Sequence, residues 1–349
     1  TAKWNNAYRA INIANNVLSA LDVVDQEDKD QIEGEALFLR GVLYFELIKF
    51  FAQPYAAGNP ANNTGVPIML VDDRNSTDFK ARASVQEVYT RIVSDLTTAE
   101  GKLAQGPNPG KASREAAAAF LSRVYLQMGN YEAARDAAHR VITSNIYSLR
   151  PTYAGCFNTG TTTEDIFDIP VSTADGINNM HTFYASTSFA GRGDIEVQAS
   201  HLALYEPTDN RLDLFYTDPG TGDTRVGKWT NRFSNVKVIR LAEMYLTRAE
   251  CNQRLGSSVG ATPLADINTV RARVNLSPLG AVSLNDILNE RKLELAHEGQ
   301  HLHDVKRLQS VIIEGTTVYN FDDPKLVFPI PQREINVNPL LIQNQGYGN

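Results

Sequence analysis

Among the residues of this 349-residue chain, His297-Glu-Gly-Gln-His301 comes nearest to spelling a reaction. In the pattern H-E-x-x-H, two histidines four residues apart on one helix face hold zinc, and the glutamate activates a water. His303 stands close by, and Glu314 lies where a third ligand could come from. The helix that would have to position these groups argues against that chemistry. It starts at Ser283, an N-cap residue, and carries Leu284, Ile287, Leu288 and Leu295 inward. Continued at about 100° per residue, it places Glu298 and Leu302 on the apolar stripe and leaves His297 and His301 on the wet polar flank. Glu298 then reads as a half-buried structural carboxylate paired with an arginine. Gly299 loosens a helix that a metal site needs rigid. The expectation is two surface histidines, no metal and no cofactor, with a zinc hydrolase as the competing reading.

The remaining elements are mostly helical. Tyr8, Ile11, Asn15, Leu18 and Leu21 recur at three- and four-residue steps, and Ile32, Ala36, Leu39, Leu43 and Leu47 form a stripe between Asp28 and Phe51. Ser84 and Glu87 make a capping box for a helix carrying Val88, Ile92, Leu96, Ala99 and Leu103. From residue 113 to 144, Ala118, Leu121, Tyr125, Gly129, Tyr131, Ala134 and Ala138 sit at tetratricopeptide spacing. Small residues let two antiparallel helices approach, and Gly129 turns the chain between them. From 150 to 235 the stripes vanish into Thr, Ser, Gly, Asn and aromatics, with brief strands such as Ile166–Pro170. Helices are predicted again from Val236 to Leu255, after Thr262-Pro263, and after Ser283. Three prolines, Pro329, Pro331 and Pro339, exclude a helix or central strand from Phe328–Tyr347, within the closing segment 311–349. Its Phe328, Ile330, Ile335, Leu340, Leu341 and Ile342 predict a segment laid across a folded body. The fold expected is mainly α: one domain over 1–349, with a tetratricopeptide-like helical scaffold and a loop-rich insert at 150–235.

Composition narrows the partners. A net charge of −7 and a pI near 5.5 speak against nucleic acid, which needs a basic face. Cys156 and Cys251 are expected as free thiols, since 42% hydrophobic content supplies a core that needs no disulfide. No apolar run approaches a membrane span. No signal peptide precedes Thr1, so a mature or trimmed form is expected.

Several blocks in order carry a resemblance. Asn289–Arg307 follows E-R-x-x-E-L-x-x-E-G-x-R-x-x-D-L-x-R through Glu290, Arg291, Glu294, Leu295, Glu298, Gly299, Asp304 and Arg307, with His301 and Val305 as departures. Trp4–Leu18, Gly34–Arg40 with Tyr44-Phe45, Arg82–Tyr89, Asp209-Asn-Arg211, Ile239–Leu246 and the ending Pro329–Asn344 complete the set. Together they resemble the SusD/RagB family of Bacteroidetes. On that resemblance the H-E-x-x-H match is a coincidence within a structural helix.

The resemblance implies a non-enzymatic, lipid-anchored outer-membrane protein, exposed on the cell surface. It would hold an oligosaccharide or polysaccharide and pass it to a SusC-like TonB-dependent transporter. The family's anchoring Cys is absent from this sequence, so anchoring is what the resemblance implies. Sugar rings want aromatic faces and a rim of amide, carboxylate or guanidinium groups. The candidates are Trp4, Tyr55, Asn59, Asn62, Tyr184, Arg192 and Trp229. Asn63, Asn178, Asn179, His181, Phe183 and Phe189 lie in the same loops, and the two phenylalanines read more readily as core. Gly191-Arg-Gly-Asp194 spells an adhesion tripeptide, which is short enough to arise by chance. A tetratricopeptide-type scaffold that binds a protein instead of a sugar is the second alternative.

Overall fold

The computed structural model describes residues 1–71 and 79–348. It gathers into two compact units. The first comprises 1–106, 112–130 and 302–349; the second comprises 107–111 and 131–301. The divisions expected at 149 and 235 both fall inside the second unit. The helix–turn–helix repeat is instead parted at its turn.

In the first unit, α1 (Ala2–Ser19), α2 (Lys29–Phe51), α3 (Val85–Lys102) and α4 (Arg114–Gln127) follow one another. Helix α2 packs against α1, α3 and α4. It is therefore buried over most of its circumference, and the single stripe drawn from the sequence is too narrow. Leu39, on that stripe, is exposed, whereas Phe38, Tyr44, Phe45 and Ile48 are enclosed. Gly34 and Gly41 allow this close packing: a Cβ on either would press on Leu103 or Leu96. The Ser84–Glu87 capping box forms, with reciprocal side-chain and backbone bonds. Helix α4 is buried on nearly every side, and Phe120 meets Phe38 edge-on at 5.4 Å.

The second unit opens with α5 (Tyr131–Thr143), entered through Gly129 at φ 72°, a left-handed turn that suits glycine. Strand β1 (Asp165–Ile169), α6 (Asn179–Tyr184), α7 (Ala199–Leu202), β2 (Phe215–Thr217) and β3 (Thr224–Val226) follow within the expected loop-rich stretch. The helix expected from Val236 instead begins five residues later. Val236–Arg240 is strand β4, paired antiparallel with β1, because Val-Lys-Val-Ile-Arg alternates and has β-branched residues that fit a ladder. Then come α8 (Leu241–Leu255), α9 (Pro263–Ala272) and α10 (Leu284–Glu294). Thr262 and Ser283 cap α9 and α10 as predicted. Helix α8 packs on α5, α9 and α10, with Leu246, Ala249, Ile267, Val270 and Ile287 in one cluster.

The chain ends with α11 (His301–Arg307), the hairpin β5 (Val311–Glu314) and β6 (Thr317–Asn320), and α12 (Gln332–Val337). The closing segment lies across the first unit as predicted. Phe328 N–H donates to Phe50 O, Asn344 Nδ2 donates to Phe51 O, and Phe328 stacks on Phe50. The exclusion of helix from this segment was too strict. Six-residue α12 fits between Pro331, at its N-cap, and Pro339, beyond its C-cap, where proline costs no helical hydrogen bond. Cys156 and Cys251 are buried free thiols. No described helix is long and apolar enough to cross a membrane.

Candidate functional site

The H-E-x-x-H stretch does not lie on one helix. Helix α10 stops at Glu294, His297 takes φ 61°, and α11 begins only at His301. The four-residue spacing therefore loses the helical geometry that would aim both rings at one ion. His301 is exposed as expected, but His297 is not wet: its ring packs among Tyr184, His201 and Phe215. Burial, with the Lys228 charge nearby, pushes its pKa down to about 3. Its Nε2 is buried without a partner. Glu314 sits on exposed β5. Among the described residues no group of three or more His, Cys, Asp or Glu side chains could hold a metal ion.

Glu298 is the paired carboxylate that the sequence predicted. Arg240 donates to both its oxygens at 2.8 and 2.9 Å, and Lys228 Nζ donates at 2.7 Å. Burial alone would raise its pKa, but the Arg240 and Lys228 charges outweigh that and hold it low. Arg240 also reaches Glu164 and Glu294, Arg273 bridges the same two carboxylates, and Arg211 is held by Asp209 and Glu290. All these groups are buried within the second unit. The network holds β4, α10 and the turn after α10 together, and each of its charges already has a partner.

Among the described residues, two surfaces combine aromatic rings with amide or charged groups. In the first unit, an open cleft of about 410 Å³ is walled by Trp4, Tyr8, Met69, Phe79 and Val337, with the amides of Asn5, Asn12 and Asn338. Its aromatic faces are largely spent. Trp4 is only 3% exposed, wedged between Tyr8 at 4.8 Å and Phe51 at 5.0 Å. The Tyr8 hydroxyl donates to Pro67 O, and Asn338 Nδ2 donates to Lys80 O.

In the second unit, residues 177–197 fold into a tight double-back. Arg192 N–H donates to Thr182 O and Asp194 N–H to Phe183 O, which brings Phe183, Arg192 and Asp194 side by side. Buried His181 donates from Nε2 to Phe189 O, and Ser186 N–H donates to the Tyr216 hydroxyl. Gly191 is required where the two arms of the double-back meet, since a Cβ there would collide with Ala185 O. On top lie exposed Phe183 (41%) and Phe189 (44%). The Arg192 guanidinium stands 5.3 Å from the Phe183 centroid and pairs with Asp194 at 2.9 Å. Phe189 packs edge-on against Tyr216 at 5.3 Å. The result is a flat apolar and hydrogen-bonding platform on a rigid base.

A family profile described as starch-binding and associating with the outer membrane matches residues 1–126, and the SusD family profile matches residues 215–347. The chain is 24% identical to SusD-like protein P38 of Formosa agariphila, over 99% of this chain and 79% of that protein. A solved structure from Bacteroides vulgatus superposes with a TM-score of 0.89 at 29% identity, covering 99% of this chain and 85% of the other. A laminarin-binding SusD-like protein superposes at 0.82 with 25% identity, covering 99% and 86%. This chain belongs to the SusD/RagB family. The family pattern through Glu290, Glu294 and Glu298 is thereby explained as the buried ion network, and the family's profile places it with outer-membrane association.

The predicted contact residues separate on this framework. Arg192 is exposed on the platform, and half-buried Tyr184 lies beneath, packed with Val197, Val226 and Trp229. Trp229 must leave the list of stacking residues. It is 1% exposed, and its indole N–H donates to His297 O, so no ring face is left for a sugar. Trp4 lines the cleft but is almost wholly covered by its neighbours. Tyr55 is half-buried edge-on against Tyr89 at 5.0 Å, and Asn59 turns its own loop by accepting from Ala61 N–H. Asn62 is exposed on the same loop. Phe183 and Phe189, which read more readily as core, are exposed, and Asp194, which the sequence did not single out as a candidate, stands beside Arg192. The only local signal was the Gly-Arg-Gly-Asp turn; the pairing with Phe183 depends on the non-local double-back.

Proposed function

We propose that this chain is a non-enzymatic glycan-binding protein, lipid-anchored and exposed at the cell surface, that delivers oligosaccharides to a SusC-like TonB-dependent transporter. The observation that carries the reading is the Phe183–Arg192–Asp194 platform, set on the framework of a family that includes a laminarin-binding member. A pyranose lays its C–H face on Phe183, and its hydroxyls bond Arg192 and Asp194. Tyr184 supports this layer from below. Within the first unit, Tyr55, Asn59 and Asn62 offer a separate candidate loop with amide groups, and the Trp4 cleft is a minor candidate. A shallow platform of this kind binds weakly to moderately, since much of the contact energy offsets lost freedom.

The test is affinity electrophoresis and calorimetry of the full chain against soluble polysaccharides. At least one glycan should bind, and Phe183→Ala should weaken it roughly tenfold, while folding stays intact because the ring is exposed. Binding that survives both Phe183→Ala and Arg192→Ala rejects the platform. A chain that binds no glycan but retains a protein partner supports the interaction-scaffold alternative.

A further inference from the structure

The platform does not end at Phe183. On α6, Asn179 and Phe183 are four residues apart, so they share one helix face, and both are exposed, while His181 between them is buried. From Phe183 back to Asn178 the helix rises roughly 7 Å. There a second loop is clamped to it. Asn178 N–H donates to Arg232 O at 2.9 Å, and Asn178 Nδ2 donates to Ser234 O at 3.0 Å. Phe233 lies between those two carbonyls and is 39% exposed; Ile177, next to Asn178, and Arg232 are exposed too. The other side of the loop is equally tied down. Asn158 Oδ1 accepts from Thr230 N–H and Asn231 N–H, Asn231 Nδ2 donates to Asn158 O, and Asn231 Oδ1 accepts from Phe233 N–H. Buried Asn178 also caps α6 by accepting from Met180 N–H. One buried side chain thus holds both the helix that carries Phe183 and the loop that carries Phe233.

We infer that the platform continues into a second aromatic subsite at Phe233, and that its ligand is an extended chain of several sugar rings. This rests on the glycan-binding reading above. The succession Phe183, Asn179, Phe233 offers an apolar face at each end and an amide between them. A chain of pyranoses presents the complement, C–H faces with rims of hydroxyls. Each ring also has a hydrogen-bonding neighbour, Arg192 with Asp194 beside Phe183 and Arg232 beside Phe233. The backbone bonds at Asn158 and Asn178 hold the second ring in place before a ligand arrives, so little further ordering is needed to use it. A glycan already seated on Phe183 meets Phe233 as an intramolecular partner, and affinity then grows with chain length.

The experiment is calorimetry of the full chain against a length series, disaccharide to hexasaccharide, cut from whichever polysaccharide binds best among laminarin, starch and galactomannan. Affinity should climb at least about tenfold from the shortest to the longest. Phe233→Ala should erase that climb and leave the disaccharide unaffected, whereas Phe183→Ala should weaken every length. Arg232→Gln keeps the ring and the loop, and should lower the climb in the same length-dependent way; it guards against a folding defect in Phe233→Ala. A hexasaccharide that binds no more tightly than the disaccharide overturns the second subsite but leaves glycan binding standing. So does a climb that survives both Phe233→Ala and Arg232→Gln, or a Phe233→Ala loss that is equal at every length. If none of the polysaccharides binds, the glycan reading itself fails and the inference falls with it.

Discussion

The two units are held together by different physics. The first is organised around apolar contacts: Phe38, Tyr44, Phe45, Leu47, Ile92, Leu96 and Phe120 are enclosed, and the principal buried ion pair on α2 is Arg40 with Asp95. The second encloses Arg211, Arg240, Arg273 and Lys228 with Asp209, Glu164, Glu290, Glu294 and Glu298. Apolar packing is tolerant, because any side chain of similar volume restores most of the contact. A buried ion network is exacting, because removing one member strands the others. This contrast explains why a catalytic motif could arise by accident in the second unit. The sequence there is constrained at Glu294 and Glu298 by their arginine partners, whereas the residues between and around them can vary, histidine included.

The largest effects should come from paired core substitutions. Arg240→Ala strands Glu164, Glu294 and Glu298 and should cost about 3–5 kcal/mol. Phe45→Ala in the first unit should cost a similar ~3–5 kcal/mol by leaving a cavity. What separates them is pH. Burial acts to raise Glu164, Glu294 and Glu298, but the Arg240 and Arg273 guanidiniums and Lys228 prevail and hold all three low. A depressed carboxylate stabilises the fold above its unfolded pKa near 4.5, and that stability is lost as pH falls through the folded value. The Arg240→Ala penalty should therefore shrink below about pH 4.5, while the Phe45→Ala penalty should not. Glu290, which burial raises, works in the opposite direction and only blunts the trend. Urea unfolding at pH 7 and pH 4 checks both. Equal penalties at the two pH values would remove the distinction between the units.

A smaller effect sharpens the same comparison, because each unit holds a histidine whose pKa burial drives far down. Burial and the Lys49 charge push His303 down to about 2, and burial and Lys228 push His297 down to about 3. Below about pH 6.5 the unfolded imidazoles take up protons and the folded ones do not, so stability falls with pH. Each histidine accounts for up to about 2 kcal/mol between pH 6.5 and 5. His297→Leu removes that slope for the second unit and sacrifices no hydrogen bond at Nε2, which has none. It should be more stable than the parent chain at pH 5 and close to it at pH 7.5. A steeper acid slope in His297→Leu would show that the ring is protonated in the folded state.

The distribution of legible and illegible features follows the same division. Helices, caps and the tail of the first unit were readable because they depend on local periodicity and on residues such as Ser84 and Glu87, three positions apart. Val236–Arg240 was misread as helix because its strand partner is 75 residues upstream in the register Asp165↔Arg240, beyond any local window. The partner of Glu298 could be predicted as an arginine from the need to neutralise a half-buried carboxylate, but not as Arg240. Trp229 and Phe183 were misjudged in opposite senses for one reason. Both lie in aperiodic loops, where composition does not say which ring the long-range hydrogen bonds turn inward.

The smallest prediction tests whether the contrast stops at the core. Among the described residues, a full capping box starts a helix in each unit, Ser84 with Glu87 on α3 and Ser283 with Asp286 on α10. Caps are local and solvent-exposed, so their worth depends on the helix end and not on what the helix buries. Ser84→Ala and Ser283→Ala should each cost about 1 kcal/mol, the usual value for losing a hydroxyl cap. Burial plays little part in the low pKa of Glu87 and Asp286, which arises from hydrogen bonds to the capping serines. Both penalties should therefore fade together in acid, unlike the pair of core substitutions. If Ser283→Ala costs much more than Ser84→Ala, the start of α10 is coupled to Glu290 and Glu294 farther along the same helix, and the ion network reaches the surface of its unit.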